Sequence, residues 1–212
     1  MVFSQCSSEE IISEFGAGDG SPVIFSLLRS PFNSTIRGYE LNPAACELAR
    51  SRVLHYRLGD RYKIQNQCFF EGFNPNLSNY LIANPPYLPA PDNDICLPAL
   101  HGGTDGAAIT KRLFTVGCEH VCLMISAYSN PVETIEYAID QGYQVTDFMV
   151  APLPFGYYSS EPKVRQTIDR LQKSGQAFYS GNTYLLAGVL FQMRSPFKID
   201  LSNELIKVMT AL

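Results

Sequence analysis

The sequence predicts an α/β fold built on a mostly parallel sheet. Strand-like apolar segments alternate with helical segments along most of the 212 residues, which is the pattern of α/β sheets. Two loops at predicted strand ends support this fold class: a glycine-rich turn at 16–21, and Asn84-Pro85-Pro86-Tyr87 after the apolar residues 81–83. Because open α/β sheets bind ligands at the carboxyl ends of their strands, both loops are candidates for a functional site.

Composition predicts one globular domain over 1–212, with an insertion at about 151–183. Hydrophobic residues make up 46% of the chain, which is enough for a full core. The net charge of −4 argues against a large nucleic-acid footprint, which usually needs a basic face. No run of about 18 apolar residues occurs, so no membrane span is expected. Six scattered cysteines without a C-x-x-C pair predict neither a metal site nor a disulfide framework, and favour a cytoplasmic location.

The first strand is predicted over Ile11–Phe15, before the turn Gly16-Ala17-Gly18-Asp19-Gly20. A helix should follow from Pro22 to about Arg29, with Ser21 as its N-cap. Glycines let a ligand approach the backbone closely, and a helix N-terminus offers free N–H groups. The pattern therefore indicates the first half of a nucleotide-binding βαβ unit, although a glycine turn alone is also ordinary loop structure.

Glu40 closes the second predicted strand, Thr35–Glu40, about 20 residues after the glycine turn. A carboxylate at this place can accept hydrogen bonds from both ribose hydroxyls of a nucleoside; the alternative is a solvated strand-end residue. Asn42 is predicted to cap the next helix, from Pro43 to about Leu58. We expect its packed side at Ala44, Leu48 and Leu54.

Further alternation completes the predicted sheet. Strands are expected at Lys63–Phe70, Tyr80–Ala83, His120–Ser126, Tyr143–Val150 and 184–193. Residues 151–183 interrupt the pattern and contain a helix candidate, Pro162–Lys173, with four basic residues. This helix is either a solvated surface helix or a lid or partner-docking element. Because the insertion follows the sixth strand, we expect it beside the mouth of the site.

The Asn84-Pro85-Pro86-Tyr87 loop has an acceptor-rich chemistry. Proline fixes its own φ and disfavours a helical residue before it, so this backbone is stiff. The Asn84 side-chain oxygen and the Pro85 carbonyl are two acceptors that suit a planar –NH2 group with two hydrogens to donate. Tyr87 adds a flat face for stacking. The alternative is an ordinary proline turn.

Taken together, Glu14-Phe15-Gly16-Ala17-Gly18-Asp19-Gly20, Glu40 and Asn84-Pro85-Pro86-Tyr87 resemble class I S-adenosylmethionine-dependent methyltransferases over nearly the whole chain. The resemblance implies a Rossmann-like, seven-stranded sheet of order 3-2-1-4-5-7-6, with helices on both faces and an antiparallel seventh strand. It implies S-adenosylmethionine as the cofactor. The implied catalytic residues are Asn84, Pro85, Pro86 and Tyr87, and the implied cofactor contacts are Glu14, Gly16, Ala17, Gly18, Glu40, Leu41, Cys68, Phe69 and Asn84.

The same loop narrows the resemblance to enzymes that methylate a planar nitrogen, either a glutamine amide or adenine N6. Gly102-Gly103-Thr104-Asp105-Gly106 resembles a segment of the HemK family, which methylates a glutamine of translation termination factors. This favours a protein glutamine over adenine in RNA or DNA, so the expected partner is a protein or nucleic-acid substrate. A catalytically inactive cofactor-binding scaffold is the alternative from another functional class.

Two features depart from the resemblance. Members usually carry Asp where this chain has Cys68, so backbone groups near Cys68 and Phe69 are expected to contact the cofactor adenine. Only ten residues precede the first predicted strand, and the helical substrate-recruiting domain of the bacterial termination-factor enzymes is expected to be absent. The 151–183 insertion or an activating partner subunit is expected to compensate.

Overall fold

The strands form one sheet of order β3-β2-β1-β4-β5-β8-β6, with β7 paired to β8. The structure is a computed structural model that describes residues 10–32 and 34–212, so Cys6 and the rest of residues 1–9 lie outside the described residues. The strands are β1 Ile12–Phe15, β2 Ile36–Glu40, β3 Tyr62–Asn66, β4 Tyr80–Ala83, β5 His120–Ser126, β6 Tyr143–Pro154, β7 Tyr179–Ser180 and β8 Thr183–Met193.

Helices alternate with these strands as predicted. Within the described ranges the α-helices are α1 Ser21–Leu28, α2 Pro43–His55, α3 Phe69–Gly72, α4 Ala108–Leu113, α5 Pro131–Asp140, α6 Pro162–Lys173 and α7 Ser202–Met209. Short 3-10 turns lie at Pro75–Leu77, Pro98–Leu100 and Tyr158–Ser160. None of the helices in this part of the chain combines the length and the apolar character that a membrane crossing requires.

The sheet confirms the predicted Rossmann-like order, with β8 as the antiparallel seventh strand of the prediction and the two-residue β7 as an additional one. β1 runs parallel to β2 and to β4, with Phe15 opposite both Tyr39 and Ala83. Parallel neighbours in this register end at the same edge of a sheet. The glycine turn, Glu40 and Asn84 therefore follow three adjacent strand ends.

The chain divides into two compact units. The first contains the described residues of 1–84 together with 116–122, and the second contains 85–115 and 123–212. In the second unit, one apolar cluster joins the chain after β4 to the 151–183 segment; its buried members include Leu88, Ala90, Ile95, Tyr128, Phe155, Val164, Ile168 and Leu171. The prediction of a single domain stays a prediction.

The third strand is shorter than predicted. It ends at Asn66 instead of Phe70, and Phe69 and Phe70 lie in α3. Phe69 is buried because its ring packs edge-on against Phe15 and Tyr39, with centroids 5.5 and 5.3 Å apart. Aromatic packing from a short helix, and not strand alternation, accounts for this apolar run.

The N-termini of the first two helices differ in their caps. Ser21 is the first residue of α1 and not its cap; Gly20 is the N-cap, at a φ of 74° and without a side-chain bond. Asn42 does cap α2 as predicted, since its Oδ1 accepts from the N–H groups of Ala44 and Ala45 at 3.0 and 3.3 Å. The pattern of a capping side chain followed by proline therefore predicted the start of α2 correctly, because there a side chain supplies the N-cap.

The buried face of α2 is not the predicted one. Leu48 and Leu54 are 46% and 79% exposed, and Ala44 is exposed too. The buried side chains are Cys46, Ala49 and Val53 instead. Small residues three or four positions apart form one face that lets a helix approach closely, and this helix packs on β3 and β2 through them.

The 151–183 segment is partly strand and partly helix. β6 continues through Pro154 instead of ending at Val150, in antiparallel register with β8 as far as Pro154 opposite Thr183. The predicted helix Pro162–Lys173 is confirmed as α6, which buries Val164, Thr167, Ile168 and Leu171. The C-terminal helix α7 was not predicted.

Candidate active site

The glycine turn after β1 is open where a ligand would need space. Gly16 and Gly18 have φ values of 68° and 56°, in the left-handed region that side chains rarely adopt. A Cβ built on either would meet no atom within 4 Å, whereas one on Gly20 would lie 3.2 Å from the Ala49 Cβ. The backbone conformation requires glycine at 16 and 18, and free space borders both residues.

Glu40 locks this turn to the end of β2. Its Oε2 accepts from the Gly18 N–H at 2.7 Å, and its Oε1 accepts from the Asn42 N–H at 2.8 Å. The Ala17 N–H donates to the Tyr39 carbonyl at 3.0 Å. Each carboxylate oxygen can accept more than one hydrogen bond, so Glu40 keeps acceptor capacity for a ligand hydroxyl while it holds the turn.

Glu14 lies buried beneath the same turn. The Tyr62 hydroxyl donates to its Oε2, and both side chains are almost inaccessible to solvent. Burial raises the pKa of Glu14 to about 7; the Tyr62 hydrogen bond opposes the rise and the charge of Glu40 adds to it. Its carboxyl is thus committed to an internal hydrogen bond, and its role as a cofactor contact stays a prediction.

Two residues that sequence reasoning missed support this region. Tyr62 is the partner of Glu14, and Asn66 donates from Nδ2 to the Glu40 and Leu41 carbonyls at 2.9 and 3.2 Å. Asn66 ends β3 directly opposite Glu40. The sequence signal for Asn66 was its position, because it is a polar residue at the end of β3, the strand beside the one that ends in Glu40.

The other predicted cofactor contacts differ in accessibility. Leu41 is 69% exposed beside Glu40 and offers apolar surface to a planar group. Phe69 is buried in the aromatic cluster, so only its backbone is available. Cys68 is half-buried at the N-cap of α3, where its carbonyl accepts from Glu71 and Gly72. The expectation of backbone contacts to a cofactor at 68–69 stays a prediction.

Asn84 follows β4 with an exposed side chain. In the described part of the chain, neither the Asn84 side chain nor the Pro85 carbonyl has a hydrogen-bond partner. Buried or structural polar groups are normally paired. These two acceptors are therefore free to bind a donor group.

Tyr87, in the second unit, is only partly available for stacking. Its ring lies 5.9 Å from that of Tyr128. Burial, together with the charge and hydrogen bonding of Tyr184, raises the pKa of Tyr87 to about 12. Contacts within this tyrosine cluster thus cover part of the ring that was predicted to stack on a substrate.

Two of the four basic residues of α6 make contacts within the second unit. Lys163 forms an ion pair with Asp92, and Arg165 pairs with Asp169 at 2.9 Å. The Arg165 guanidinium also lies over the rings of Phe155 and Tyr179, 4.2 and 4.6 Å from their centroids. These contacts give α6 a structural role, and its position at the mouth of the site stays a prediction.

The arrangement of potential ligand side chains does not indicate a metal site in the described part of the chain. Among residues 10–32 and 34–212, no three His, Cys, Asp or Glu side chains are clustered so that they could hold a metal ion.

Comparison with curated proteins finds two related methyltransferases, while no family model matches the chain. The chain is 24% identical over 161 residues to the ribosomal protein uL3 glutamine methyltransferase of Bradyrhizobium diazoefficiens, covering 72% of this chain and 47% of that protein. It is 31% identical over 77 residues to a bifunctional methyltransferase of Rickettsia felis, covering 36% of this chain and 14% of that protein. The chain thus spans about half the length of the first relative, and much less of the second.

Comparison with solved structures shows the fold. M. jannaschii TYW2, solved in complex with AdoMet, matches 90% of this chain and 72% of its own at a TM-score of 0.52 and 12% identity. The geranyl diphosphate C-methyltransferase of Streptomyces coelicolor matches 91% of this chain and 76% of its own at 0.55 and 10% identity. The chain has the class I methyltransferase fold.

Proposed function

We propose that this chain is an S-adenosylmethionine-dependent N-methyltransferase that acts on a planar nitrogen, with a protein glutamine as the preferred acceptor. The observation that carries the proposal is the arrangement of three adjacent strand ends. β1 ends in a glycine turn that is open at Gly16 and Gly18, β2 ends in Glu40, and β4 ends in Asn84 with uncommitted acceptors.

The first two of these elements support cofactor binding. The remaining acceptor capacity of Glu40 suits the ribose hydroxyls, the exposed Leu41 suits one face of the adenine, and Gly16 and Gly18 allow close approach of the backbone. When bound, S-adenosylmethionine supplies a methyl group on a positively charged sulfur. The chain then has to position that methyl in line with the acceptor nitrogen.

The third element supports recognition of an –NH2 group. Hydrogen bonds from its two N–H hydrogens to Asn84 Oδ1 and the Pro85 carbonyl would draw the nitrogen lone pair out of conjugation. The same oxygens would stabilise the positive charge that develops as the nitrogen–carbon bond forms and the carbon–sulfur bond breaks. The surplus proton then leaves the methylated nitrogen for water, so no acidic or histidine general base is required.

A protein glutamine is the acceptor that the observations favour. The resemblance of Gly102–Gly106 to the HemK family and the name of the Bradyrhizobium relative both support it. The negative net charge disfavours a long nucleic-acid footprint. The fold does not choose the acceptor, because the proteins that share it include a methyltransferase that acts on geranyl diphosphate.

Transfer of a tritiated methyl group to a panel of acceptors tests this function. The panel contains ribosomal proteins, translation termination factors, ribosomal RNA, transfer RNA and DNA. We expect label in protein, and mass spectrometry should place it on a glutamine side chain. Label on adenine would instead select the nucleic-acid alternative. Cofactor binding without transfer to any member would select the inactive scaffold.

Glu40→Ala should weaken cofactor binding by roughly 1.5–3 kcal/mol, the range for hydrogen bonds to a charged group. The physical reason is the loss of the ribose acceptor together with the bond that holds Gly18. Titration calorimetry with S-adenosylmethionine and S-adenosylhomocysteine measures the change. Glu47→Ala is the control, because Glu47 is an exposed carboxylate of the same unit on α2. Equal affinities for the two variants would contradict the assignment of Glu40.

We also propose a reducing, cytoplasmic location, with an activating partner subunit where recruitment of a protein substrate requires one. None of the five described cysteines forms a disulfide, which suits a compartment that keeps thiols reduced.

A further inference from the structure

The Gly102–Gly106 segment packs directly against the main chain of Pro86 and Tyr87. A Cβ built on Gly102 would lie 2.7 Å from the Pro86 carbonyl oxygen and 2.8 Å from the Tyr87 Cα. One built on Gly106 would lie 2.6 Å from the Tyr87 carbonyl oxygen. Real side chains do not come so close to backbone atoms. Both glycines are thus required because main chain lies against main chain.

Hydrogen bonds complete this support. The hydroxyl of Ser129, which is buried, donates to the Tyr87 carbonyl at 2.7 Å. The Leu88 N–H donates to the Leu100 carbonyl at 3.0 Å, and the Gly102 N–H donates to the Leu88 carbonyl at 2.9 Å. The carbonyls of Tyr87 and Leu88 are therefore occupied, while among the described residues that of Pro85 has no partner.

The support is itself held in place by a polar network around the buried side chain of Asn130. Asp105 accepts from the Ala107 N–H at 3.0 Å and from Asn130 Nδ2 at 2.9 Å. Asn130 is 2% exposed, has a φ of 50°, and also donates to Glu133 at 2.6 Å. Such a residue is kept in a strained conformation only where its surroundings fix it. The network ties the glycine segment to the start of α5.

We propose that Gly102, Gly106 and Ser129 are positioning residues for methyl transfer. They act through the main chain of residues 86–88 and hold Asn84 and the Pro85 carbonyl in the geometry that binds the acceptor nitrogen. The inference rests on the proposed function and deepens it at the same site. It assigns the Gly-Gly-Thr-Asp-Gly sequence to loop geometry and not to recognition of a particular acceptor.

The most direct test of this proposal compares the variant Gly102→Ala with the control Gly103→Ala. At Gly102 the added methyl would lie 2.6 Å from the Gly106 carbonyl oxygen and 2.7–2.8 Å from backbone atoms of Pro86 and Tyr87, so main chain at the loop must move. The φ of Gly102 lies outside the left-handed region. At Gly103 the three nearest atoms all belong to Ala108, the closest at 2.8 Å, and the φ of 96° adds strain. The control therefore has a more strained backbone and a close contact of its own, to the Ala108 Cβ, but its added methyl does not reach the loop.

We expect Gly102→Ala to lower kcat at least about tenfold, since small displacements of reacting groups are costly, while the cofactor Kd changes less than about twofold. Gly103→Ala should keep kcat within about threefold of the parent, because its methyl does not reach the loop. A similar loss of kcat in both variants would overturn the proposal.

A second and less disruptive test compares the variant Ser129→Ala with the control Ser202→Ala. Each substitution removes one buried hydroxyl, but only the hydroxyl of Ser129 contacts the loop. Hydrogen exchange at the Leu88 amide, whose N–H donates to the Leu100 carbonyl, should be faster in Ser129→Ala and Gly102→Ala than in both controls. Unchanged exchange would overturn the positioning role, as would faster exchange with an unchanged kcat. If the parent chain methylates no acceptor, the proposed function fails, and the exchange data alone decide whether the segment holds the loop.

Discussion

Asn84→Ala is expected to lower turnover by roughly 10²–10³-fold, comparable to the loss of one donor from an oxyanion hole, while cofactor affinity stays within about threefold. The effect falls on turnover because the positive charge on the acceptor nitrogen appears only as the methyl moves. Asn84 also makes no hydrogen bond to another described residue. Its removal should therefore leave the fold and its melting temperature almost unchanged.

Single-turnover and steady-state methyl transfer to the identified acceptor measure this effect. Asn93→Ala is the matched control, since Asn93 is an exposed asparagine in the loop that follows. Asn84→Asp keeps an acceptor oxygen but adds a charge, so partial activity is expected. If Asn84→Ala turns over at the parental rate, the loop is an ordinary proline turn without a catalytic role.

Glu14→Gln is expected to remove a pH dependence of stability that the parent chain shows between about pH 4.5 and 8. Burial raises the pKa of Glu14 from 4.5 to about 7 in the folded chain. The folded state therefore holds this proton more tightly than the unfolded state. The stabilising contribution is fully present below the unfolded pKa and is lost as pH rises through the folded pKa.

The expected loss of unfolding free energy across that window is about 3 kcal/mol from this carboxyl. Urea unfolding at several pH values measures it, with Glu47→Gln as an exposed control. Gln retains an oxygen that can accept from the Tyr62 hydroxyl, so its stability should change little with pH in this range. Asp19 and Asp105 have lowered pKa values because hydrogen bonds and nearby cations outweigh their burial; their contributions are lost at lower pH. A parental slope that persists in Glu14→Gln would rule out this account.

The sequence by itself was sufficient for elements whose signals are local. Predicted strands at Tyr80–Ala83 and His120–Ser126 match β4 and β5 at both ends. The Asn42 cap and the start of α6 at Pro162 were also predicted correctly. In each case a short apolar run, a proline or a capping side chain acts within a few residues, so no distant contact has to be known. The strand order that places Gly16, Glu40 and Asn84 at adjacent strand ends was implied by the resemblance to class I methyltransferases, and the sheet confirms it.

Tertiary structure decided the features that depend on partners far along the chain. The packed face of α2 consists of its small residues because β3 and β2 lie against them. The prediction from the positions of the leucines placed this face on the wrong side of the helix. Phe69 lies in α3 and not in β3 because its ring packs against Phe15 of β1 and Tyr39 of β2. The Glu14–Tyr62 pair joins residues 48 positions apart, and no local pattern signals it. In the sequence, Gly102 and Gly106 indicate only a turn. Their packing against Pro86 and Tyr87 in the structure shows why a side chain is excluded at both positions.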